Sequence, residues 1–76
     1  MTHPEEIARM RYYAHKAREN FRAGLIFTEE GKVTPGGALF IEFISGIYQN
    51  AMPCNIQHTE DFEESLNNIE AFVKLL

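Results

Sequence analysis

Cys54 and His58 have the side chains best suited to covalent or metal chemistry, and they lie four residues apart ahead of a predicted helix. A structural zinc site needs four ligands in paired clusters, whereas Cys54 is the only cysteine in the sequence. A thiolate nucleophile would need an orienting third group and an oxyanion hole, for which the sequence has no pattern. The neighbouring Glu60 and Asp61 also oppose formation of a thiolate. We therefore predict no metal site, no cofactor and no enzymatic activity.

Two more segments have the composition of a ligand site. The four carboxylates within residues 60–64 lack the alternating ligands and the glycine of a calcium loop. They are interpreted as the solvated first turns of a helix, with docking onto a basic partner as an alternative. The Thr-Pro-Gly-Gly segment at 34–37 opens another predicted helix, where backbone N–H groups can bind phosphate. It lacks the Walker and dinucleotide patterns, so a sharp turn is the main interpretation and phosphate binding the minor one.

Basic residues cluster on one side of the first predicted helix. Arg11, Arg18 and Arg22 fall within about 40° of one another on a helical wheel. Together with Tyr12, such side chains can hold phosphates or stack on bases. The sequence pI of about 5.2 and the absence of a basic residue from the second predicted helix argue against nucleic-acid binding. The commoner role of such a face is ion pairing with Glu19 or with the acidic third helix.

The elements that position these residues are predicted to be three helices. The first runs from about Thr2, which forms a capping box with Glu5, to Arg22 or Ala23, and Gly24 ends it. Its apolar residues recur at three- and four-residue steps: Ile7, Met10, Ala14, Ala17, Phe21 and Leu25, with Tyr13 at the edge. Residues 25–37 form a connector in which a short β-hairpin turning at Gly31 and an irregular loop are both open.

The second predicted helix is the most apolar part of the chain. Thr34 caps it, Pro35 occupies its first position and Pro53 ends it. Residues 39–44 are rich in β-formers, but the narrow polar strip at helical spacing favours a helix with a wide apolar arc. The third predicted helix is capped by Thr59 and runs to the chain end with a clean apolar stripe: Phe62, Leu66, Ile69, Phe72, Val73 and Leu76.

Length and composition bound the fold and the location. With 76 residues, the chain is predicted to be one mainly α domain over residues 1–76, a compact three-helix fold with the middle helix at its centre. No run is apolar enough to span a bilayer, and the N-terminus lacks the order of a signal peptide, so we predict a cytoplasmic protein without membrane contact. Residues 1–24 carry five basic and three acidic side chains, whereas residues 53–76 carry one basic and five acidic. Such blocks attract one another within a fold or between copies.

These observations predict a small protein-interaction module that binds a partner protein as a regulator, inhibitor or adaptor. Acidic, motif-free chains of this size are typical of accessory proteins in phages and mobile elements. A short chain without disulfides, with Ile41, Tyr48 and Met52 at the margins of its apolar arc, is predicted to form a homo-oligomer. The binding residues are predicted to be polar and aromatic anchors: Arg11, Tyr12, Arg18, Arg22 and Tyr48. The alternative is an oligomer that binds a small anionic ligand such as a nucleotide.

Overall fold

The fold consists of three helices, as described by a computed structural model over residues 3–76. Helix α1 spans Pro4–Arg22, α2 spans Pro35–Ile47 and α3 spans Thr59–Lys74. The molecule is elongated, with principal extents of 41 × 20 × 18 Å. The predicted mainly helical, three-helix class is confirmed.

Both ends of α1 follow from the local sequence. His3 occupies the N-cap position, and its carbonyl accepts hydrogen bonds from the amides of Glu6 and Ile7. The predicted capping residue Thr2 lies outside the described residues. At the other end Gly24 adopts a φ of +74°, which lets the chain leave the helix without a Cβ clash. The Leu25 amide then donates to the carbonyl of Asn20 at 3.1 Å, which is the 6→1 hydrogen bond of a Schellman motif.

The connector between α1 and α2 is a bent loop rather than a hairpin. Phe27 and Val33 form one isolated antiparallel bridge, and no strand occurs within residues 3–76. Gly31 makes the turn with a φ of +82°, as predicted for this position. Of the two possibilities left open by the sequence, the short hairpin is not supported, because a two-stranded ribbon is marginal alone and α2 begins two residues after Val33. Thr34 caps α2 as predicted, since its Oγ1 accepts from the Gly37 amide at 2.8 Å.

The second connector, which joins α2 to α3, begins earlier than the apolar pattern of α2 predicts. Helix α2 ends at Ile47, five residues before the predicted end, because Tyr48 leaves the helical conformation with φ −116° and ψ 61°. The chain then turns so that Met52 and Ile56 are buried in the core. Thr59, predicted as the cap of α3, is its first helical residue, and His58 occupies the N-cap position.

Helix α1 is the central element of the fold. It packs antiparallel against both α2 and α3, whereas no Cα atoms of α2 and α3 approach within 8 Å of each other. The connectors contribute four buried side chains to the same core as the helices: Ile26, Phe27, Met52 and Ile56. The expectation that the middle helix is central was therefore wrong. Ala14 and Ala17 are the buried residues of α1, and their small size lets other chain segments approach its backbone.

An aromatic cluster closes the core where the C-terminal end of α1 lies against the N-terminal end of α3. The Phe62 ring is fully buried and lies 5.2 Å from the ring of Phe21 and 5.7 Å from that of Phe27, measured between centroids. These three rings come from α3, α1 and the first connector. The cluster therefore joins three segments that are distant in sequence.

Tyr48 anchors the opposite end of the core, where its hydroxyl donates a hydrogen bond to the carbonyl of Met10 in α1. Burial raises the pKa of Tyr48. We expect Tyr48→Phe to lower the free energy of unfolding by about 1 kcal/mol, because the Met10 carbonyl loses this donor. Urea denaturation measures the effect. Tyr12→Phe, which removes a hydroxyl from an exposed ring, is the control and should leave the midpoint unchanged; equal effects of the two changes would contradict the prediction.

Candidate functional site

Arg18 is engaged inside the fold rather than presented to a ligand. Its Nε donates to Glu70 Oε2 at 3.1 Å, and its second terminal nitrogen donates to Glu70 Oε1 at 2.6 Å. The same nitrogen also donates to Asn67 Oδ1 at 3.1 Å. This two-pronged geometry suits a guanidinium facing a carboxylate, and it lowers the pKa of Glu70. Arg18 therefore joins α1 to α3, the role that sequence reasoning named as the commoner one.

The Arg18–Glu70 pair predicts a specific pH dependence. We expect Glu70→Gln to lower the free energy of unfolding at neutral pH by about 1 kcal/mol, as for a well-oriented pair that is partly exposed. Because folding lowers the pKa of Glu70 from 4.5, the stabilisation is complete above that value. It is lost as the pH falls through the lowered pKa of the folded chain.

Urea denaturation over a series of pH values tests this dependence. The difference in unfolding free energy between wild type and Glu70→Gln should close in acid. Glu64→Gln is the control, because Glu64 is exposed and forms no ion pair within residues 3–76. A difference that persists undiminished in strong acid would contradict the role given to the pair.

The remaining predicted binding residues do not converge on one site. Arg11 and Arg22 are exposed, and neither forms an ion pair within the described chain. Tyr12 is also exposed, but it points about 100° away from Arg11 around the helix. Tyr48 differs from the prediction: its side chain is 3% exposed, so it belongs to the core and offers no ring to a partner.

The segments that suggested chemistry are solvated. Cys54 and His58 are both exposed, and no group of three or more metal-ligating side chains occurs within residues 3–76. Asp61 and Glu64 line an open polar cleft of about 350 Å³ at the start of α3. Its other lining residues are mainly small or uncharged: Asn50, Ala51, Pro53, Asn55, Ile56, Ser65 and Asn68. The carboxylates of residues 60–64 are exposed, as expected for the solvated first turns of a helix.

Close packing accounts for the glycine at position 37, which lies in the segment that suggested a phosphate site. Gly37 is buried, and a Cβ at this position would collide with the carbonyl oxygen of Ile26 and lie 2.9 Å from its Cα. The Gly37 amide already donates to Thr34, and the Thr34 hydroxyl donates to the carbonyl of Leu25 at 2.9 Å. The first connector is therefore held against the start of α2, and this contact requires a residue without a side chain.

Residues of α1 and α2 that are exposed or half-buried form a contiguous apolar surface. Tyr12 is 55% exposed, Leu39 70% and Phe43 49%. The rings of Tyr12 and Tyr13 meet edge to face at 5.3 Å, and those of Tyr13 and Phe43 at 5.0 Å. Leu39 lies one helical turn before Phe43 on the same side of α2. We call Tyr12, Tyr13, Leu39 and Phe43 the apolar face.

Sequence reasoning identified the apolar arc of α2 but chose the wrong residues for its exposed part. Ile41, Tyr48 and Met52 were expected at the margins, yet they are 2%, 3% and 0% exposed. Leu39 and Phe43 are exposed instead, because α1 and the connectors cover the opposite side of α2. Glu42, the only charge in α2, gives no signal for this choice, because it lies about 100° from both Ile41 and Phe43 around the helix.

Charged residues border the apolar face on both sides. Lys16 lies 5.8 Å from the centre of the Tyr12 ring and pairs with Glu19 at 3.0 Å. Arg9 lies one turn before Tyr12 and Tyr13 on α1, and Glu42 precedes Phe43 on α2. Both are exposed, and within residues 3–76 neither forms an ion pair. On α1, Arg9 and Lys16 thus lie one turn before and one turn after the tyrosine pair along the helix axis, and on α2 Glu42 lies beside Phe43.

Comparisons add no relative from which a function could be transferred. No protein-family model, curated protein or solved structure matches this chain. Among the helices described here, none has the length and apolar character needed to cross a membrane.

Proposed function

We propose that this chain is a small protein-interaction module, a regulator, inhibitor or adaptor that acts by occupying the surface of another protein. The observation that carries the proposal is the apolar face, where exposed Tyr12, Leu39 and Phe43 lie together with half-buried Tyr13. Scattered apolar side chains are ordinary on a protein surface, but adjacent ones form a patch suited to association.

The composition of this surface favours a protein partner. Tyrosine is enriched among residues that dominate binding energy, because a rigid ring buries much area with little loss of conformational freedom. The edge-to-face contacts along Tyr12, Tyr13 and Phe43 fix the rings before binding, which lowers the entropic cost of association. Charged borders around an apolar centre match the anatomy of a protein interface.

The alternative of a small anionic ligand has less support. The pocket predicted for such a ligand would be lined by Arg11, Tyr12, Arg18 or the backbone of Gly36 and Gly37. Of these, Arg18 already binds Glu70 and Asn67, and Gly37 is buried against the first connector. The protein-binding proposal needs neither residue.

Site-specific photo-crosslinking tests the proposal in cells that natively express the chain. A photoreactive phenylalanine analogue at position 43 should form covalent adducts with protein. The same analogue at Ala71, an exposed residue of α3, is the matched control and should form few. Absence of protein adducts at position 43, or equal yields at both positions, would overturn the proposed function.

A further inference from the structure

We propose that the polar cleft between α3 and the second connector binds a primary ammonium group carried on a short alkyl chain. This site goes beyond the proposed function and shares no residue with the apolar face. The cleft has a volume of about 350 Å³. Its polar lining consists of two carboxylates, three amides and one hydroxyl: Asp61, Glu64, Asn50, Asn55, Asn68 and Ser65.

The hydroxyl of Ser65 distinguishes this cleft from an ordinary acidic helix start. Ser65 is only 5% exposed, yet its hydroxyl makes no hydrogen bond within residues 3–76. In Ser45, the other buried serine, the hydroxyl donates to the carbonyl of Ile41 one turn earlier, at 2.6 Å. No fully buried side-chain oxygen or nitrogen in the described chain lacks a partner, so the Ser65 oxygen is reached from the cleft that this residue lines. A hydroxyl in this situation is a hydrogen-bonding position for a ligand.

The charge of the cleft selects a cation. Asp61 and Glu64 lie one turn apart on α3, on the same side of the helix as Ser65. Neither carboxylate forms an ion pair within residues 3–76, and the sequence has no lysine or arginine between Lys32 and Lys74. This part of the chain therefore supplies no lysine or arginine to the two negative charges, and a cationic ligand would provide the positive charge.

The size of the cleft and the spread of its acceptors indicate a primary ammonium group. Its volume of about 350 Å³ is roughly ten times the share of one molecule in liquid water, which is more than a bare metal ion fills. An ammonium group has three diverging N–H donors and no acceptor, which suits oxygens that come from separate residues. A planar guanidinium prefers both oxygens of one carboxylate, as Arg18 shows elsewhere in this chain. Ala51, Pro53 and Ile56 form the apolar part of the lining, against which the alkyl chain would lie.

The experiment is a titration of the nitrogen-15-labelled full chain with 1,5-diaminopentane, followed by heteronuclear NMR. The side-chain amide signals of Asn50, Asn55 and Asn68 should shift and reach saturation at millimolar ligand. Tetramethylammonium is the matched control ligand, because it is a cation without N–H donors, and it should give no saturable shift. A parallel titration with Nα-acetyl-lysine methylamide distinguishes the two sources of an alkylammonium group. Tighter binding of the lysine derivative assigns the cleft to a lysine side chain of a protein, and tighter binding of the diamine assigns it to a free amine.

Variants of the lining residues test the site itself. Asp61→Asn and Ser65→Ala should each weaken binding of 1,5-diaminopentane by about tenfold, as expected for the loss of a hydrogen bond to a charged group. Ser65→Ala breaks no hydrogen bond within residues 3–76, so its far-UV circular dichroism spectrum should match that of the wild type. Glu60→Gln removes the same charge next to Asp61 but outside the cleft, and it should bind like the wild type.

Four results would overturn the inference. They are the absence of saturable shifts with both amines, equal binding of tetramethylammonium, tighter saturable binding of calcium ions at the same signals, and equal losses of affinity in Asp61→Asn and Glu60→Gln.

Discussion

Gly37→Ala is expected to lower the free energy of unfolding by about 3 kcal/mol, the upper part of the range for an overpacked interior. The added methyl group would meet backbone atoms of Ile26, which cannot swing aside as a flexible side chain would. Relief requires the first connector to move away from α2. That movement would stretch the hydrogen bonds through which Thr34 holds the Leu25 carbonyl and the Gly37 amide.

Gly36→Ala is the matched control for this prediction. A Cβ at Gly36 would meet no atom within 4 Å, so alanine should stabilise the first turn of α2 by about 0.5 kcal/mol. Urea denaturation of both variants, followed by circular dichroism, gives the two free energies. Opposite signs at adjacent glycines are the expected result; a Gly37→Ala protein as stable as wild type would show that the connector does not pack closely on α2.

Phe62→Ala is expected to lower the free energy of unfolding by about 4 kcal/mol, as for other fully buried aromatic residues. The Phe62 ring is 0% exposed and contacts the rings of Phe21 and Phe27. Removing it leaves a cavity lined by residues of three segments, which cannot collapse without moving α3 relative to α1. A domain of this size is marginally stable, so the variant should be largely unfolded at physiological temperature.

Phe72→Ala is the control for aromatic truncation in the same helix. The Phe72 side chain is partly exposed and contacts Tyr48 only at the edge of the core, so we expect a loss of about 1 kcal/mol. Thermal unfolding followed at several wavelengths measures both variants. Equal melting temperatures for the two would contradict the role assigned to the Phe21–Phe27–Phe62 cluster.

The helices could be predicted from the sequence where a local signal sets each boundary. Gly24 ends α1 and Thr34 caps α2, since each acts through hydrogen bonds within a few residues. The end of α2 could not be predicted, because Tyr48 leaves the helix to bond with Met10, a residue 38 positions away. The first connector likewise forms only one bridge, since strands would need a third partner that the fold does not provide.

The candidate site could be predicted only in part, because exposure depends on which elements cover a helix. The wide apolar arc of α2 was evident from its pattern, but the pattern is nearly symmetric about the helix. Only the fold decides that Ile41 is buried and Phe43 exposed. For Arg18, composition alone favoured an ion pair with α3, and the structure identifies Glu70 as the partner. The sequence could not choose between Arg18 and its neighbours Arg11 and Arg22.

The separation of α2 from α3 has a consequence for how the chain folds. Because Ile26, Phe27, Met52 and Ile56 of the connectors share one core cluster with residues of all three helices, neither helix pair contains a complete core of its own. A fragment holding α1 and α2 would expose the residues that normally cover Phe62, Leu66 and Ile69. Docking of α3 and ordering of the connectors must therefore occur together, and hydrogen exchange of the core amides should report a single cooperative opening with no partially folded unit.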